Sequence, residues 1–204
     1  MISEALNIND AGCDLGSVIA TDQLPGRARR SVDSAMEGRA FVELAQQLAK
    51  APEEFFQKLV NTVLSLSNAN SAGISLLDVE EERFVWPAVA GGLRPYLGGG
   101  TPSNFGPCGT VLERNAPILF LRPQRHFLYL APIRPVLEEV LLIPFYMNGR
   151  AVGTLWAVIH EAGSHFDTED KRLLESLSKF AATAFKTLSM AGAIKPLLGR
   201  KFPS

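Results

Sequence analysis

The sequence predicts an α+β fold, in which one antiparallel β-sheet carries helices on one face and irregular segments over the other. Two predicted strand pairs, at 72–90 and 140–159, are the first observation behind this prediction. In the second pair the dipeptide Asn148-Gly149 joins two apolar runs, which favours a hairpin because both turn positions need positive φ. A long C-terminal helix is the other observation, because apolar residues recur there at three- and four-residue intervals.

Two helices are expected before the sheet. Residues 39–50 place Phe41, Leu44 and Leu48 on one helical face. Pro52 then opens a second helix, because proline is tolerated in a first turn, and the apolar residues after it keep helical spacing.

The middle of the chain alternates strands with irregular segments. The strands are expected at 72–78, 83–90, 117–121, 140–146 and 151–159. Pro87 indicates an edge position or a bulge in the second of them. The segments 91–104 and 122–135 are predicted to be loops or short helices, with a short helix at 105–115 between them. Long irregular segments of compact domains are often functional.

The last helix has clear end signals. Asp167 is expected to cap its N-terminus, with Asp170 three residues later as a variant of the capping box. Gly192 and Pro196 indicate where it ends.

Composition limits the possible functions. The chain has 204 residues, of which 47% are hydrophobic, and a formal net charge of −1, so it can bury a sizeable core and has no basic surplus for nucleic acid. Its two cysteines suffice for neither a disulfide framework nor a zinc site. With no secretory signal and no membrane-spanning run, we expect a cytoplasmic protein without a membrane partner.

The predicted domain organisation is one main domain with two flanking segments. Residues 1–37 are small, polar and interrupted by glycine and proline, which is typical of a tail or linker. The domain is expected at 38–191, and a C-terminal tail at 192–204.

Residues 141–185 carry a spaced pattern that points to a known family. A hairpin with Pro144, Gly149 and Gly153 is followed by His160, Phe166, Asp170, Leu173 and Leu174. This pattern resembles the C-terminal half of bacterial GAF sensor domains, and the segment 106–120 is similar to that of GAF domains in bacterial sensor histidine kinases. The resemblance covers about 38–191 and implies a GAF-like antiparallel sheet with the N- and C-terminal helices on one face.

The same resemblance implies a function. We expect a non-catalytic sensory domain of signal transduction that binds an unknown small ligand and signals through a helix-mediated homodimer. A histidine kinase of a two-component system is the kind of signalling partner that it implies. A ligand-free dimerisation module is one alternative.

Cys108 carries the other alternative, a thiol-based redox sensor or small redox enzyme. It lies near the start of the predicted short helix, where backbone N–H groups stabilise a thiolate. A disulfide switch needs a second cysteine, however, and Cys13 lies in the predicted tail. GAF-type methionine sulfoxide reductases use several cysteines in the domain, so we favour a structural role for this one.

Three further ligand classes fit the sequence poorly. His126, Tyr129 and Leu130 resemble part of the bilin site of phytochromes, but Arg125 stands where the attachment cysteine would be. The Asn-Lys pair of GAF domains that bind cyclic nucleotides is missing. The three histidines are isolated, so no metal site is expected.

The remaining candidates for a ligand pocket are mostly aromatic, and we place them beneath the segments 91–104 and 122–135. They are Trp86, Tyr96, Phe105, Cys108, Phe120, His126, Tyr129 and Trp156. No catalytic or metal-binding residue is predicted, and the identity of any cofactor is left open.

Overall fold

The computed structural model describes residues 12–199, and a six-stranded antiparallel sheet lies at its centre. The strands are β1 (Ser71–Asp78), β2 (Arg83–Gly91), β3 (Gly100–Pro102), β4 (Ile118–Leu121), β5 (Glu139–Met147) and β6 (Arg150–Ile159). Their order across the sheet is β3-β2-β1-β6-β5-β4. The predicted α+β class is therefore confirmed, and so is the hairpin at Asn148-Gly149, where both residues have positive φ.

Five α-helices accompany the sheet in the described part of the chain. They are α1 (Ser34–Lys50), α2 (Phe55–Leu66), α3 (Pro107–Arg114), α4 (Thr168–Met190) and α5 (Ile194–Leu198). The helix α2 packs on β1 and β2, and α4 packs on β5 and β6. Together with α1 they cover one face of the sheet, as predicted. The predicted capping box is present, because Asp167 and Asp170 each accept a backbone N–H from the other.

The two faces of the sheet have separate cores. Alternate residues of a strand point to opposite faces, and β5 divides in this way. Leu141 and Ile143 belong to the core beneath the helices, whereas Val140 and Leu142 belong to the core beneath α3 and the irregular segments. The strand β5 therefore contributes side chains to both cores.

Two local features depart from a regular sheet. The pairing of β1 with β2 shifts between Ile74 and Leu76, opposite Trp86 and Pro87, so Pro87 lies at a bulge. The short strand β3 forms within the segment 91–104, which we predicted to be irregular. Three residues pair too briefly to show as a period in the sequence.

The described part of the predicted N-terminal tail lies against the sheet. Ala20 donates its N–H to the carbonyl of Leu119 at 2.9 Å, and Ile19 bridges Phe120, so the chain runs along the outer edge of β4. Val18 and Leu24 are fully buried. The described residues exclude 1–11 of this predicted tail and 200–204 of the predicted C-terminal tail. Within the predicted C-terminal tail, residues 194–198 form α5.

A buried ion pair joins this N-terminal segment to β5. Arg27 donates from both terminal nitrogens to the Glu139 carboxylate, at 2.8 and 2.9 Å, and also to the carbonyl of Phe166 at 2.7 Å. Glu139 is only 2% exposed. Burying a carboxylate is costly unless it is paired and hydrogen-bonded. The pair therefore ties residue 27, the start of β5 and the entry to α4 into one unit.

We predict that Arg27→Met lowers the free energy of unfolding by roughly 3–5 kcal/mol, because it removes the bidentate partner of the buried Glu139 and leaves it with the largely exposed imidazole of His165. Urea unfolding measures this change. Arg122→Met is the matched control: Arg122 pairs with Glu138 but its side chain is 54% exposed, so its loss costs about 1 kcal/mol or less. Adding Glu139→Met to Arg27→Met restores part of the lost stability. Equal effects of the two single variants would contradict the importance of the buried pair.

Candidate functional site

The helix α3 brings Cys108 onto the sheet face opposite the long helices. Pro107 occupies its first turn, and Asn115, with a φ of 53°, ends it in the left-handed conformation. Gly106 precedes it, and a Cβ there would collide with the Tyr129 hydroxyl. The stretch 106–115 therefore forms the short helix that the sequence predicts. Gly106 allows the Tyr129 hydroxyl to approach the backbone closely.

A cavity of about 50 Å³ lies between the sheet, α3 and the two irregular segments. Its wall is almost wholly apolar or aromatic. The lining residues are Trp86, Leu93, Tyr96, Thr101, Pro107, Cys108, Pro123, Leu130, Ile133, Leu137, Val140, Leu142, Trp156 and Val158. Small-molecule sites usually have this composition, with few polar groups among apolar ones, but they are usually several times larger than this cavity.

Four of the eight residues predicted for the pocket line this cavity: Trp86, Tyr96, Cys108 and Trp156. Tyr129 is a near neighbour, since its hydroxyl lies beside Gly106 and close to Thr101 and Cys108.

The other three predicted residues lie farther out, in an aromatic cluster around Phe127. The rings of Phe105, Phe120 and His126 are centred 5.2, 6.1 and 4.6 Å from that of Phe127. The imidazole Nδ1 of His126 is 2.6 Å from the carbonyl oxygen of Cys13. This cluster supports the segment 122–135 but does not line the cavity.

Cys108 belongs to a small hydrogen-bonded network on the sheet. Its thiol donates to Ser75 Oγ at 3.3 Å, and Thr154 Oγ1 donates to its sulfur at the same distance. The side chain is 4% exposed, and burial raises the pKa of the thiol. A raised pKa leaves less thiolate, the form that acts as a nucleophile. The predicted start-of-helix position therefore does not activate this cysteine.

Trp156 extends the same network across the sheet. Its indole Nε1 donates to Ser75 Oγ at 3.0 Å. The ring lies against Gly73 on the neighbouring strand, where any Cβ would overlap it. It also meets Trp86 edge-on, with ring centroids 5.7 Å apart. Gly73 and Ser75 thus fix one wall of the cavity.

Three polar atoms around the cavity are buried with no protein partner in hydrogen-bond geometry among residues 12–199, although the Thr101 hydroxyl lies close to both the Tyr129 hydroxyl and the Cys108 thiol. They are the indole Nε1 of Trp86, the hydroxyl oxygen of Thr101 and that of Tyr129. Burial raises the pKa of the Tyr129 hydroxyl, so it stays protonated at physiological pH. Buried polar groups are normally hydrogen-bonded, which makes this concentration of unpaired ones at one cavity notable.

The two irregular segments meet over the cavity. The backbone N–H of Arg134 donates to the Tyr96 hydroxyl at 2.9 Å. Both segments are also tied to the end of the sheet through His160. Its Nδ1 donates to the carbonyl of Val136 at 2.7 Å, so in the neutral ring Nε2 accepts from Ser71 Oγ, which in turn accepts the N–H of Leu93.

Sequence reasoning missed the whole aliphatic wall of the cavity and Thr101. The alternation of Val140 and Leu142 along β5 signalled a shared face, but not which face. Thr101 gave no signal, because its place depends on the unpredicted strand β3, where it pairs with Phe84.

Two site classes find no support in the described part of the chain. Residues 12–199 contain no group of three or more potential ligands placed to hold a metal ion. Within the same range, none of the helices combines the length and hydropathy that crossing a bilayer requires.

We predict that Cys108 reacts slowly with iodoacetamide in the native protein at neutral pH, because its thiol is buried and its pKa is raised. The half-buried Cys13 is the internal comparison and should be labelled much faster. Peptide mass spectrometry after timed labelling measures both rates. Equal labelling rates under native conditions would show that Cys108 is accessible, contrary to this description.

Comparison with solved structures shows the same fold in several GAF proteins. The GAF domain of an Acinetobacter phosphoenolpyruvate-protein phosphotransferase is 19% identical, with a TM-score of 0.66 over 78% of this chain and 97% of that one. Its counterpart from Coxiella burnetii is 20% identical, with a TM-score of 0.64 over 79% and 99%. A free methionine-R-sulfoxide reductase from Neisseria meningitidis is 15% identical, with a TM-score of 0.61 over 81% and 98%.

These identities establish the fold and not the activity, since the same fold serves as a domain of two phosphotransferases and as a methionine sulfoxide reductase. A search of curated proteins found no match. The family model of the GAF domain, in contrast, matches residues 49–186, which span β1–β6 together with α2, α3 and most of α4. The chain belongs to the GAF domain family.

Proposed function

We propose that this protein is a non-catalytic sensory module that binds a small molecule in the cavity above the sheet. The observation that carries the proposal is the mostly apolar cavity itself, over which the hydrogen bond from the backbone N–H of Arg134 to the Tyr96 hydroxyl joins the two irregular segments. A ligand that contacts both segments stabilises their closed arrangement relative to more open ones. Ligand binding then shifts the population toward that arrangement.

The strand β5 provides a route from the cavity to the long helices. Val140 and Leu142 face the cavity, and the residues between and after them, Leu141 and Ile143, pack in the core with α4. A shift of β5 by a bound ligand therefore changes the packing of α4. Because packed cores change between discrete arrangements, a small movement at the cavity can be passed on in this way.

We propose that the signal is read out in a homodimer formed through the N- and C-terminal helices. Apolar side chains remain exposed there: Met36 and Val42 on α1, which are 39% and 58% exposed, and Met190 at the end of α4, which is 80% exposed. Phe41 and Phe180 hold α1 beside α4, with ring centroids 5.6 Å apart. A cytoplasmic location, which rests on the sequence analysis, and a histidine kinase as signalling partner, which rests on the resemblance to sensor proteins, complete the proposal.

The thiol-based alternative receives less support from the site. Catalytic or redox-sensing cysteines are commonly accessible and close to a cation or a resolving thiol. Cys108 is buried among hydroxyl groups, and Cys13 is the other cysteine of the chain. We therefore propose that Cys108 packs and hydrogen-bonds rather than reacts.

We predict that native mass spectrometry of the gently purified protein detects an added small mass on the folded chain, with an absorption spectrum to identify a coloured ligand. Cys108→Ser should retain the same mass, because serine preserves the hydrogen bonds to Ser75 and Thr154. If Cys108→Ser keeps the fold but loses both the added mass and any absorption signal, the redox alternative is favoured. A bare mass under all gentle conditions would count against the sensory proposal.

We predict that Val42→Arg converts the dimer to a monomer without unfolding it, because it places a charge on the exposed face of α1. Size-exclusion chromatography with light scattering measures the mass. Val136→Arg is the matched control, since Val136 is 40% exposed but directly follows the segment 122–135, on the opposite face of the sheet. A wild-type protein that stays monomeric at high concentration would contradict the helix-mediated dimer.

A further inference from the structure

The chemistry of the cavity wall limits which ligand it can hold, an inference that rests on the proposed ligand-binding function. Among the described residues, those that line the cavity carry no carboxylate, ammonium, guanidinium or imidazole group. A charge buried there would lack a counter-charge, which costs several kcal/mol even after relaxation of the protein. The wall therefore disfavours anionic and cationic ligands alike.

Three titratable side chains near the cavity, those of Arg134, His160 and His126, are engaged elsewhere. The guanidinium of Arg134 donates to the carbonyl groups of Ala131 and Ile133, at 2.7 and 2.8 Å. His160 bonds Ser71 and the carbonyl of Val136, and His126 bonds the carbonyl of Cys13. Each of these contacts holds the irregular segments in place, so turning one of these groups into the cavity would loosen its wall.

The unpaired polar atoms show what the ligand must offer instead. Six buried side-chain atoms have no partner within the described residues, and three of them surround this cavity: Trp86 Nε1, Thr101 Oγ1 and Tyr129 Oη. Thr101 is only 6% exposed and lines the cavity directly. It pairs in the sheet with Phe84, two residues before Trp86, so the side chains of Thr101 and Trp86 share one face.

The three groups form a defined recognition set. An indole nitrogen can only donate a hydrogen bond, whereas the two hydroxyl groups can donate or accept. We propose that the cavity takes a small uncharged ligand whose hydrogen-bond acceptor, a carbonyl or amide oxygen, pairs with Trp86 Nε1–H, with Thr101 and Tyr129 as further partners. A volume of about 50 Å³ equals the space of about three to five water molecules, so the buried part of the ligand is small.

The proposal predicts that removing the Thr101 hydroxyl stabilises the ligand-free protein, whereas a purely structural role of this hydroxyl predicts the opposite. A buried hydroxyl without a partner costs free energy, so Thr101→Val should raise the Tm of the ligand-free protein, by about 2–4 °C. Thr154→Val is the matched control. Thr154 is also a buried strand residue, but its hydroxyl is bonded to Cys108, so this variant should lower the Tm. The protein is unfolded, dialysed and refolded beforehand to remove any co-purified molecule.

Tyr129→Phe provides a second, independent variant, because it removes only the unpaired hydroxyl and should also raise the Tm. If both Thr101→Val and Tyr129→Phe lower the Tm, the two hydroxyl groups already have hydrogen-bond partners in the ligand-free protein. That result would overturn their proposed role in recognising the ligand.

The charge preference is tested with propanamide and propanoate, which have the same heavy-atom skeleton but differ in charge. The chain contains two tryptophans, so a ¹H–¹⁵N spectrum shows two indole N–H signals, and Trp86→Phe assigns them. We expect propanamide to shift the Trp86 signal while the Trp156 signal, already bonded to Ser75, changes less. Propanoate should shift neither. Thr101→Val should weaken propanamide binding about fivefold, the value of one neutral hydrogen bond.

The outcomes separate this inference from the proposed function. Preferential binding of propanoate, or a co-purified ligand that carries a charge into the cavity, would overturn the uncharged-ligand proposal and leave the sensory role standing. No shift of the Trp86 signal with either compound at saturating concentration would overturn the recognition set. The sensory function would instead be overturned if the gently purified protein carries no bound small molecule and if its helices do not change when a compound binds.

Discussion

The contact between Trp156 and Gly73 is the constraint on which the site depends. Because position 73 has no side chain, the indole ring lies directly on the neighbouring strand, and its N–H reaches Ser75. Ser75 in turn accepts a hydrogen bond from Cys108, which anchors α3 to the sheet, and Thr154 completes the network. One glycine and one hydroxyl group thus position both the floor of the cavity and the helix that closes it. Substituting Gly73 would displace all of these groups together.

The two faces of the sheet differ in how completely they are packed and hydrogen-bonded. Its helix-covered face is a continuous apolar core, held at one end by the Arg27–Glu139 pair and the capped start of α4. Its other face carries a smaller core with a cavity and with buried polar atoms that the protein leaves unpaired within the described residues. Natural proteins depart from full polar satisfaction mainly at functional sites. The departure lies beneath the segments 91–104 and 122–135, where the aromatic residues of the sequence predict the candidate pocket, and β5 joins the two faces.

Sequence reasoning predicted the architecture well and named four of the fourteen residues that line the cavity. Periodicity, the Asn148-Gly149 turn and the Asp167 cap depend on local physics, so the strand pairs and α4 could be located from the sequence alone. Trp86, Tyr96, Cys108 and Trp156 were found because aromatic and thiol side chains stand out. The sequence did not predict that Thr101 lines the cavity or that the N-terminal segment packs along β4. Both placements depend on pairing with residues distant in sequence, Phe84 for Thr101 and Leu119 for Ala20. The limits of the predicted domains remain predictions.

The central claim is that the cavity holds a ligand whose presence orders the segments above it and is felt by the helices beneath the sheet. Hydrogen–deuterium exchange tests it most directly, by comparing gently purified protein with the same protein after unfolding, dialysis and refolding. The account predicts faster exchange in the refolded protein at 92–104 and 123–137, together with a change in α4. Identical exchange in both preparations, with a ligand bound in one of them, would contradict it.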